Sequence, residues 1–331
     1  MESLRSRHPL LKARSNALWE IRRFFRSRGF PEVDAPNLVP SAGMEPHLDP
    51  FEARGWSSGR KAFLPTSPEF YLKKLLASGF GRCFSLAPSF RDEPEGTRHS
   101  PEFLILEWYR PGKPLDAILR DCIDLCRILA ISLLGTPRIA GSPYTLDTSL
   151  PPRILTVSEA FERWVGTDWK ALDSPAEWRV LAQSHGAAAG ENWSENDCFS
   201  YLLLTRVEGE LTAIESPVAL WGFPPFQGAL ARECPDAPGV IDRFELYLGG
   251  IELANAYAEL TDGVEQRRRY RMFQEERRAA CKPPHPADEE LLEAVDHLPP
   301  CSGVAFGVDR FLGMLFGDTL RRIRHGIPSG I

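Results

Sequence analysis

The chain lacks any hydrophobic run long enough to cross a membrane. A membrane-spanning helix needs roughly 18 or more consecutive apolar residues, and no segment of the 331 residues approaches that length. The first fifteen residues, MESLRSRHPLLKARS, also contain no hydrophobic core of the kind found in secretory signal peptides. With 43% hydrophobic and 25% charged residues, the composition is ordinary for a globular protein. We therefore expect a soluble protein that is not secreted.

Paired cysteines are lacking as well. The seven cysteines are an odd number, and no two of them have the CxxC spacing of many zinc and redox sites. Cys281 and His285 would supply only half of a zinc site. We expect free thiols, and hence the reducing cytoplasm.

An excess of positive charge is also absent, since the formal net charge is -6. Proteins that bind nucleic acid over a large surface normally carry a basic face, so the composition argues against tRNA as a partner. A local exception is the arginine cluster between Arg267 and Arg278. Such a cluster on a helix is usually a solvated face, and the alternative is a docking surface for an acidic protein.

Neither glycine-rich phosphate-binding signature, GxGxxG or GxxxxGK[ST], occurs in the chain. The sequence therefore argues against a Rossmann fold, and ATP, if bound, must be held by side chains on a sheet. Apolar periodicity predicts helices over residues 10–28, 69–77 and 115–134, and strands over residues 30–33, 83–87, 102–109, 218–223, 243–248 and 251–256. Strands that pair mostly through hairpins favour an antiparallel sheet flanked by helices, an α+β architecture.

The pattern changes between residues 135 and 210. Proline, glycine and serine gather over residues 135–152, and three helices are predicted at 157–164, 176–184 and 196–207. We predict one domain over residues 1–331, with a helical insertion at about 135–210.

The segment FRDEPEGTRHSPEFLILEWY, residues 90–109, is the most informative part of the chain. It ends one strand, turns through a polar loop and begins another strand, in which Phe103, Glu107 and Tyr109 share a face. Arg91 supplies a planar cationic fork suited to phosphate or carboxylate, and Phe103 offers a flat surface to a base. These features indicate a nucleotide site. The alternative is an amphipathic hairpin with a solvated loop.

Three glutamates, Glu245, Glu252 and Glu259, recur at intervals of seven around Gly249-Gly250. If the two glycines form a two-residue hairpin turn, Tyr247 lies opposite Glu252 and Glu245 lies diagonally across from it. Glu245 and Glu252 could then share Mg²⁺, which prefers one or two carboxylates together with phosphate oxygens. Plain alternation places Glu259 on the other face, so a bulge is required if all three serve one pocket.

Three segments resemble the signature motifs of class II aminoacyl-tRNA synthetases. Arg28-Gly29-Phe30 with Val33 and Pro36 resembles motif 1, residues 90–109 resemble motif 2 of the lysyl branch, and GVAFGVDR at 303–310 resembles motif 3. The resemblance runs from about residue 10 to about residue 316. It implies the α+β catalytic core of that class and, because motif 1 builds its dimer interface, a homodimer.

Motif 1 begins within the first thirty residues, which leaves no room before it for an anticodon-binding domain. A catalytic core with TSPEF, LEWYRP, GIELANAYAEL and CSGVAFGVDR resembles the elongation factor P (R)-beta-lysine ligases. That resemblance implies an enzyme that adenylates lysine or (R)-beta-lysine with ATP and Mg²⁺ and transfers it to a lysine of elongation factor P. The alternatives are a truncated lysyl-tRNA synthetase, a producer of free aminoacyl-adenylate, and a non-catalytic regulatory paralogue.

The resemblance also implies roles on the nucleotide side. Arg91 would bridge the substrate carboxylate and the α-phosphate, while Arg310 would lie over the adenine opposite Phe103 or reach the γ-phosphate. Glu245 and Glu252 would hold magnesium. Ser100 stands where the family pattern has asparagine. The other implied nucleotide contacts are Asp92, Glu93, His99, Ser100, Leu253 and Gly307.

On the amino-acid side, Glu259 and Tyr109 would face the side-chain ammonium, and Asn255 would help to hold the carboxylate. The start of the helix at residue 69 would receive the other amino group. Ala305 replaces the glycine of ordinary lysyl-tRNA synthetases and is consistent with a β-amino substrate, although neutral drift at a core position is the alternative. The remaining implied contacts are Ser67, Pro68, Glu69 and Glu107.

Overall fold

The computed structural model of the chain describes residues 8–54, 59, 61–94, 96, 99–140 and 145–317. A sheet of eight strands forms its centre, in the order β3-β4-β12-β11-β10-β8-β7, with β9 paired to β10. All of these pairs are antiparallel except β7 with β8, which confirms the predicted α+β architecture. The described strands are β1 (Glu52–Ala53), β2 (Ala62–Phe63), β3 (Cys83–Phe90), β4 (Glu102–Pro111), β5 (Arg138–Ala140), β6 (Thr145–Asp147), β7 (Arg153–Thr156), β8 (Val218–Phe223), β9 (Glu233–Cys234), β10 (Ala237–Leu248), β11 (Ile251–Ala258) and β12 (Cys301–Gly307).

Helices flank this sheet, and the predicted ones begin and end close to the expected residues. The first ends where Gly29 adopts a left-handed backbone conformation with φ of +74°. Within the described ranges, no helix is both long and apolar enough to span a bilayer. The described helices are α1 (His8–Ser27), α2 (Glu69–Ala77), α3 (Leu115–Leu134), α4 (Val157–Trp164), α5 (Pro175–Ser184), α6 (Glu195–Leu202), α7 (Glu208–Leu211), α8 (Gly263–Ala279), α9 (Glu289–Ala294) and α10 (Val308–Phe316).

Helices α1, α3 and α10 cover one face of the sheet and form the main core with it. The Phe25 ring of α1 stacks on Phe84 of β3 at 4.8 Å between ring centroids, and it contacts Trp108 of β4 at 5.0 Å. The Trp108 indole N–H donates to Asp121 of α3 at 3.2 Å, so its buried polar group has a partner. Because the helices occupy this face, the opposite face of β4 is left for a binding site.

The segment predicted as a helical insertion contains strands as well as helices. Its helices pack around stacked Phe161 and Phe199, with ring centroids 5.1 Å apart, and that core continues onto β8 and β10 of the main sheet. The strands β5 and β6 pair with each other, while β7 joins the edge of the main sheet. The predicted helix at 196–207 is α6 followed by a π-helical turn at Leu203–Val207.

The strand predicted at residues 30–33 is wrong, because only a single bridge forms there. Glu32 pairs in parallel with Phe84, and the Val33 amide donates to the Phe84 carbonyl at 2.7 Å. Pro31 has no N–H to donate to a ladder, which limits this segment to an isolated bridge.

Candidate active site

The uncovered face of the sheet is the floor of a cleft of about 590 Å³, within the range of small-molecule binding sites. The walls come from three places: residues 45–48, the start of α2, and α6 of the insertion. The cleft surface includes Ser67, Glu69, Arg91, Glu93, His99, Ser100, Phe103, Glu107, Tyr109, Glu252, Leu253, Asn255, Glu259, Ala305, Gly307 and Arg310, which were all predicted as site residues.

Strand register arranges the floor in rows of side chains. Gly303 of β12 pairs with Tyr109 on one side and Tyr257 on the other. Two residues along, Ala305 pairs with Glu107 and Asn255. The predicted alternation of β4 is confirmed, because its residues Phe103, Ile105, Glu107 and Tyr109 all line the cleft.

A β-bulge in β11 brings two of the three evenly spaced glutamates, Glu252 and Glu259, to the same cleft. Tyr247 pairs with Glu252 as predicted, across a turn in which Gly249 and Gly250 have φ of +58° and +71°. The next pairs are Leu246 with Ala254 and Glu245 with Asn255, so Leu253 is the extra residue. The bulge reverses the alternation, so that Glu252 and Glu259 both line the cleft.

At one end of the cleft, two glutamates meet a buried lysine. Lys73 of α2 places its Nζ 2.7 Å from Glu69 Oε1 and 2.7 Å from Glu259 Oε2. Burial raises the pKa of Glu259 to about 7, although the Lys73 ammonium acts in the opposite direction. The Ser67 hydroxyl accepts from the Glu69 amide at 3.2 Å, while Pro68 precedes the helix and lies outside the cleft surface.

Glu107 lies beside this pair on the floor. Its Oε1 accepts a hydrogen bond from the Tyr109 hydroxyl at 2.6 Å. Its Oε2 is buried and has no hydrogen-bond partner among the described residues. Burial, together with the charge of Glu69, raises the pKa of Glu107 well above its ordinary value. A buried acceptor of this kind is suited to an ammonium group of a ligand.

The other end of the cleft carries two arginines. The Arg91 guanidinium lies 5.1 Å from the centroid of the Phe103 ring, and its buried Nε has no hydrogen-bond partner in the described part of the chain. Arg310 binds Glu252 instead of its neighbour Asp309, with distances of 3.2 Å to the carboxylate and 3.1 Å to the carbonyl oxygen. In this structure it is therefore Arg91 that contacts Phe103.

Near Arg91, Glu93 and His99 contact each other at 3.3 Å, and the His99 contact holds the pKa of Glu93 below its ordinary value. Asp92 lies outside the cleft surface, and its amide donates to the Asp49 carbonyl at 2.7 Å. Asp92 thus joins this loop to the segment that forms a wall of the cleft.

Glu245, predicted to share magnesium with Glu252, lies beneath the cleft surface. One of its carboxylate oxygens binds Arg243, and the other accepts from the Tyr247 hydroxyl at 2.6 Å. Glu252 faces the cleft and fits a metal bound to phosphates. The magnesium role of Glu245 stays a prediction.

Residues 4–327 match the family described as "tRNA synthetases class II (D, K and N)". The chain belongs to this family. It is 36% identical over 314 residues to a protein of Klebsiella pneumoniae (strain 342) named "Elongation factor P--(R)-beta-lysine ligase", which covers 93% of this chain and 91% of the relative. A protein with the same name from Salmonella paratyphi A (strain ATCC 9150 / SARB42) has the same identity and coverage. The resemblance drawn from the motifs is confirmed.

Sequence reasoning missed several residues of this class II site. Lys73 lies one helical turn from Glu69, a spacing that indicates a possible ion pair but not a buried one. Arg243 precedes Glu245 by two residues on the same strand, and its Nε donates to Asn255 at 3.0 Å. The insertion also adds Asn196, Asp197 and Ser200 to the cleft surface, and no sequence signal connects α6 with motif 2.

The arginine cluster on α8 is neither a uniform solvated face nor a uniform docking surface. Arg269 is buried and donates to the carbonyls of Gly228 and Ala231 at 3.0 and 2.6 Å. Arg277 is buried too, and it binds the Pro46 carbonyl at 2.9 Å and Asp49 at 2.9 Å. These two arginines position the segments that line the class II cleft.

Proposed function

We propose that the protein activates (R)-beta-lysine with ATP and transfers it to the ε-amine of a lysine on elongation factor P. The observation that carries this proposal is a cluster of three carboxylates at one end of the cleft, two buried and one partly buried, with arginines at the other end. The names of the relatives that cover most of the chain support the same reaction. Homodimer formation through α1 and a cytoplasmic location remain part of this proposal.

The charges of the cleft favour an amino acid with two amino groups. Glu69, Glu107 and Glu259 supply three negative charges when ionised, and Lys73 supplies one positive charge. A buried ammonium needs both charge and hydrogen bonds, which these carboxylates provide. The substrate carboxylate would point toward Arg91, at the opposite end.

In the first step, a carboxylate oxygen of the amino acid attacks the α-phosphorus of ATP. The bond from that phosphorus to the oxygen bridging to the β-phosphate breaks, and pyrophosphate leaves. Arg91 would hold the attacking carboxylate and the α-phosphate together and neutralise the charge that builds up. A bound Mg²⁺ would neutralise phosphate charge, with Glu252 as the cleft residue that fits as its ligand.

In the second step, the uncharged acceptor amine attacks the carbonyl carbon of the adenylate. The carbon–oxygen bond to AMP breaks, an amide forms, and the attacking nitrogen loses one proton. AMP leaves with the electrons of the broken bond.

The test is to mix purified protein with ATP, (R)-beta-lysine and elongation factor P and to measure the intact mass of the factor. The proposal expects one added lysyl unit, which depends on ATP and on the acceptor lysine. Efficient charging of tRNA while the factor stays unmodified would overturn it in favour of a truncated tRNA synthetase. Absence of amino-acid-dependent pyrophosphate exchange with every lysine isomer would favour a regulatory paralogue.

A pH prediction follows from Glu259, whose pKa of about 7 lies above the ordinary 4.5 because it is buried. Only the ionised carboxylate attracts an ammonium, so amino-acid affinity should increase as pH rises through 7. From pH 6 to 8, the ionised fraction and hence 1/KM should rise about tenfold. The Glu259→Gln variant should bind weakly and lose this dependence.

KM for ATP over the same pH range is the control, since the phosphate end lacks this group. A flat amino-acid KM between pH 6 and 8 would contradict the prediction. Stability should depend on pH in the opposite direction to amino-acid affinity. Because of Glu259, the folded protein binds more protons than the unfolded chain between about pH 4.5 and 7. Glu259 should therefore lower the free energy of unfolding as pH rises through that window.

Ala305 is predicted to influence the choice between amino-acid isomers. It lies between Glu107 and Asn255 on the floor, where one methyl group changes the space available to an amino group. A methylene-sized change is worth about 1–3 kcal/mol of discrimination, or roughly 10–200-fold. Ala305→Gly should gain activity with α-lysine relative to (R)-beta-lysine. The ratio of kcat/KM for the two isomers measures this, and an unchanged ratio in a folded variant means that Ala305 is ordinary packing.

A further inference from the structure

Lys73 is a buried cationic side chain that contacts two glutamates of the pocket proposed to bind cations, although it does not itself lie on the cleft surface. Its side chain is only 2% exposed, and its ammonium contacts Glu69 and Glu259 at 2.7 Å each. Neighbouring Lys74 on the same helix is different, because it points away from the cleft and pairs with Asp288 at 2.9 Å and Glu290 at 3.2 Å. Helix α2 therefore carries two adjacent lysines, of which only Lys73 reaches the site.

The contacts of Lys73 use one oxygen from each glutamate. Glu69 gives Oε1 and Glu259 gives Oε2, which leaves the second oxygen of each carboxylate for another partner. Glu259 Oε1 lies over the floor, 2.6 Å from the point that a Cβ on Gly303 would occupy. The lysine thus holds one oxygen of each carboxylate, while the other oxygen of each remains for a ligand.

Charge repulsion explains why such a residue is needed. Glu107 and Glu259 are buried and Glu69 is partly buried beside them, and like charges at this spacing would drive protonation if nothing compensated them. Glu107 Oε2 has no hydrogen-bond partner among the described residues, and the Lys73 charge opposes the rise in the pKa of Glu107. The two contacts at Lys73 raise its pKa above the ordinary value despite burial, so the side chain stays an ammonium.

We propose that Lys73 is a positioning residue that sets how many ammonium groups the amino-acid pocket accepts. When all three carboxylates are ionised, it neutralises one of them and leaves two negative charges, which match the two ammonium groups of a diamino acid. Amino acids with one amino group would leave a buried carboxylate without a partner, which is costly. This inference rests on the proposed function, since it concerns the same amino-acid pocket.

The experiment compares Lys73→Met, Lys73→Ala and the matched control Lys74→Met in lysine-dependent pyrophosphate exchange. Loss of the fixed ammonium should raise the amino-acid KM of both Lys73 variants at least about tenfold, the size expected for a charge-assisted contact. KM for ATP should stay within about twofold, because the phosphate end does not contact Lys73. Lys74→Met should leave both constants unchanged.

Amine rescue separates the charge of Lys73 from its packing. Lys73→Ala leaves a space that a small alkylammonium ion can enter, so millimolar propylamine should lower the amino-acid KM of this variant. It should do nothing to wild type or to Lys74→Met. An unchanged amino-acid KM in a folded Lys73→Met protein would overturn the proposal. Equal losses in both KM values without amine rescue would also overturn it, because they indicate a structural role.

Two further variants decide the matter if Lys73→Met and Lys73→Ala do not fold. Lys73→Gln can hydrogen-bond both carboxylates without the charge, and its amino-acid KM should rise as for methionine. If it also fails to fold, Lys73→Arg is measured: a KM near the wild-type value supports the charge role, and a raised KM in a folded protein overturns it. A wild-type protein that activates no lysine isomer refutes the proposed function itself. Wild-type activity with unaffected Lys73 variants refutes only this inference.

Discussion

Arg91→Lys is expected to slow amino-acid-dependent pyrophosphate exchange by about 10²- to 10³-fold, the size found when one donor to a developing charge is removed. Lysine retains the positive charge but lacks the planar fork that contacts two oxygens at once. The fork matters here because Arg91 is proposed to join the substrate carboxylate to the α-phosphate. The decrease should therefore appear in kcat and not only in KM.

The matched control is Arg271→Lys on the exposed surface of α8, which should keep wild-type rates. Thermal unfolding of both variants checks the fold. Arg91 also contacts the Phe103 ring at 5.1 Å, so Phe103→Leu tests whether that contact holds the guanidinium in place. A folded Arg91→Lys protein with wild-type kcat would remove Arg91 from the adenylation step.

Gly303→Ala is expected to lower kcat/KM for the amino acid by about 100-fold or more, since overpacking of a tight site costs about 1–3 kcal/mol and occasionally more. A Cβ at this position would lie 2.3 Å from Tyr109 Cε1 and 2.6 Å from Glu259 Oε1. Tyr109 is itself held by its hydrogen bond to Glu107. The extra methyl must therefore displace groups at the centre of the amino-acid pocket.

Gly209→Ala serves as the control, because a Cβ on Gly209 meets no described atom within 4 Å. Gly209 lies in α7, where alanine is favoured over glycine by about 1 kcal/mol, so this variant should be as active as wild type and slightly more stable. The kcat/KM for the amino acid and for ATP are measured for both variants. Wild-type amino-acid activation by a folded Gly303→Ala protein would show that the pocket lies elsewhere.

The sequence predicts the helices and strands well where the pattern is local. The limits of α3 follow from apolar periodicity, and Gly29 marks the end of α1. Strand β7 was missed because it pairs in parallel with β8 more than sixty residues later, and nothing in four residues indicates such a partner. The apolar pattern of residues 30–33 predicts a strand, but Pro31 has no N–H to donate and only an isolated bridge forms.

The cleft was predicted from resemblance and strand alternation, and most of its residues lie where expected. Its ion pairs could not be predicted in the same way. Arg277 and Asp49 are more than two hundred positions apart, and Lys73 meets Glu259 across a similar separation. Each contact arises only when two distant elements pack together, and the apolar pattern that predicts each element gives no sign of the contact. The Arg243–Glu245 pair lies within one strand, but alternation alone does not show that it is buried.

The bulge at Leu253 makes the length of β11 as important as its composition. The alternation of side chains between the two faces of the sheet is reversed on passing Leu253, and the reversal is due to that single extra residue. A substitution there alters one side chain, whereas removal of one residue would turn Asn255 and Glu259 toward the helices. This stretch should therefore tolerate substitutions far more readily than insertions or deletions. A relative with one residue more or fewer between Gly250 and Glu259 should bind a different ligand or none.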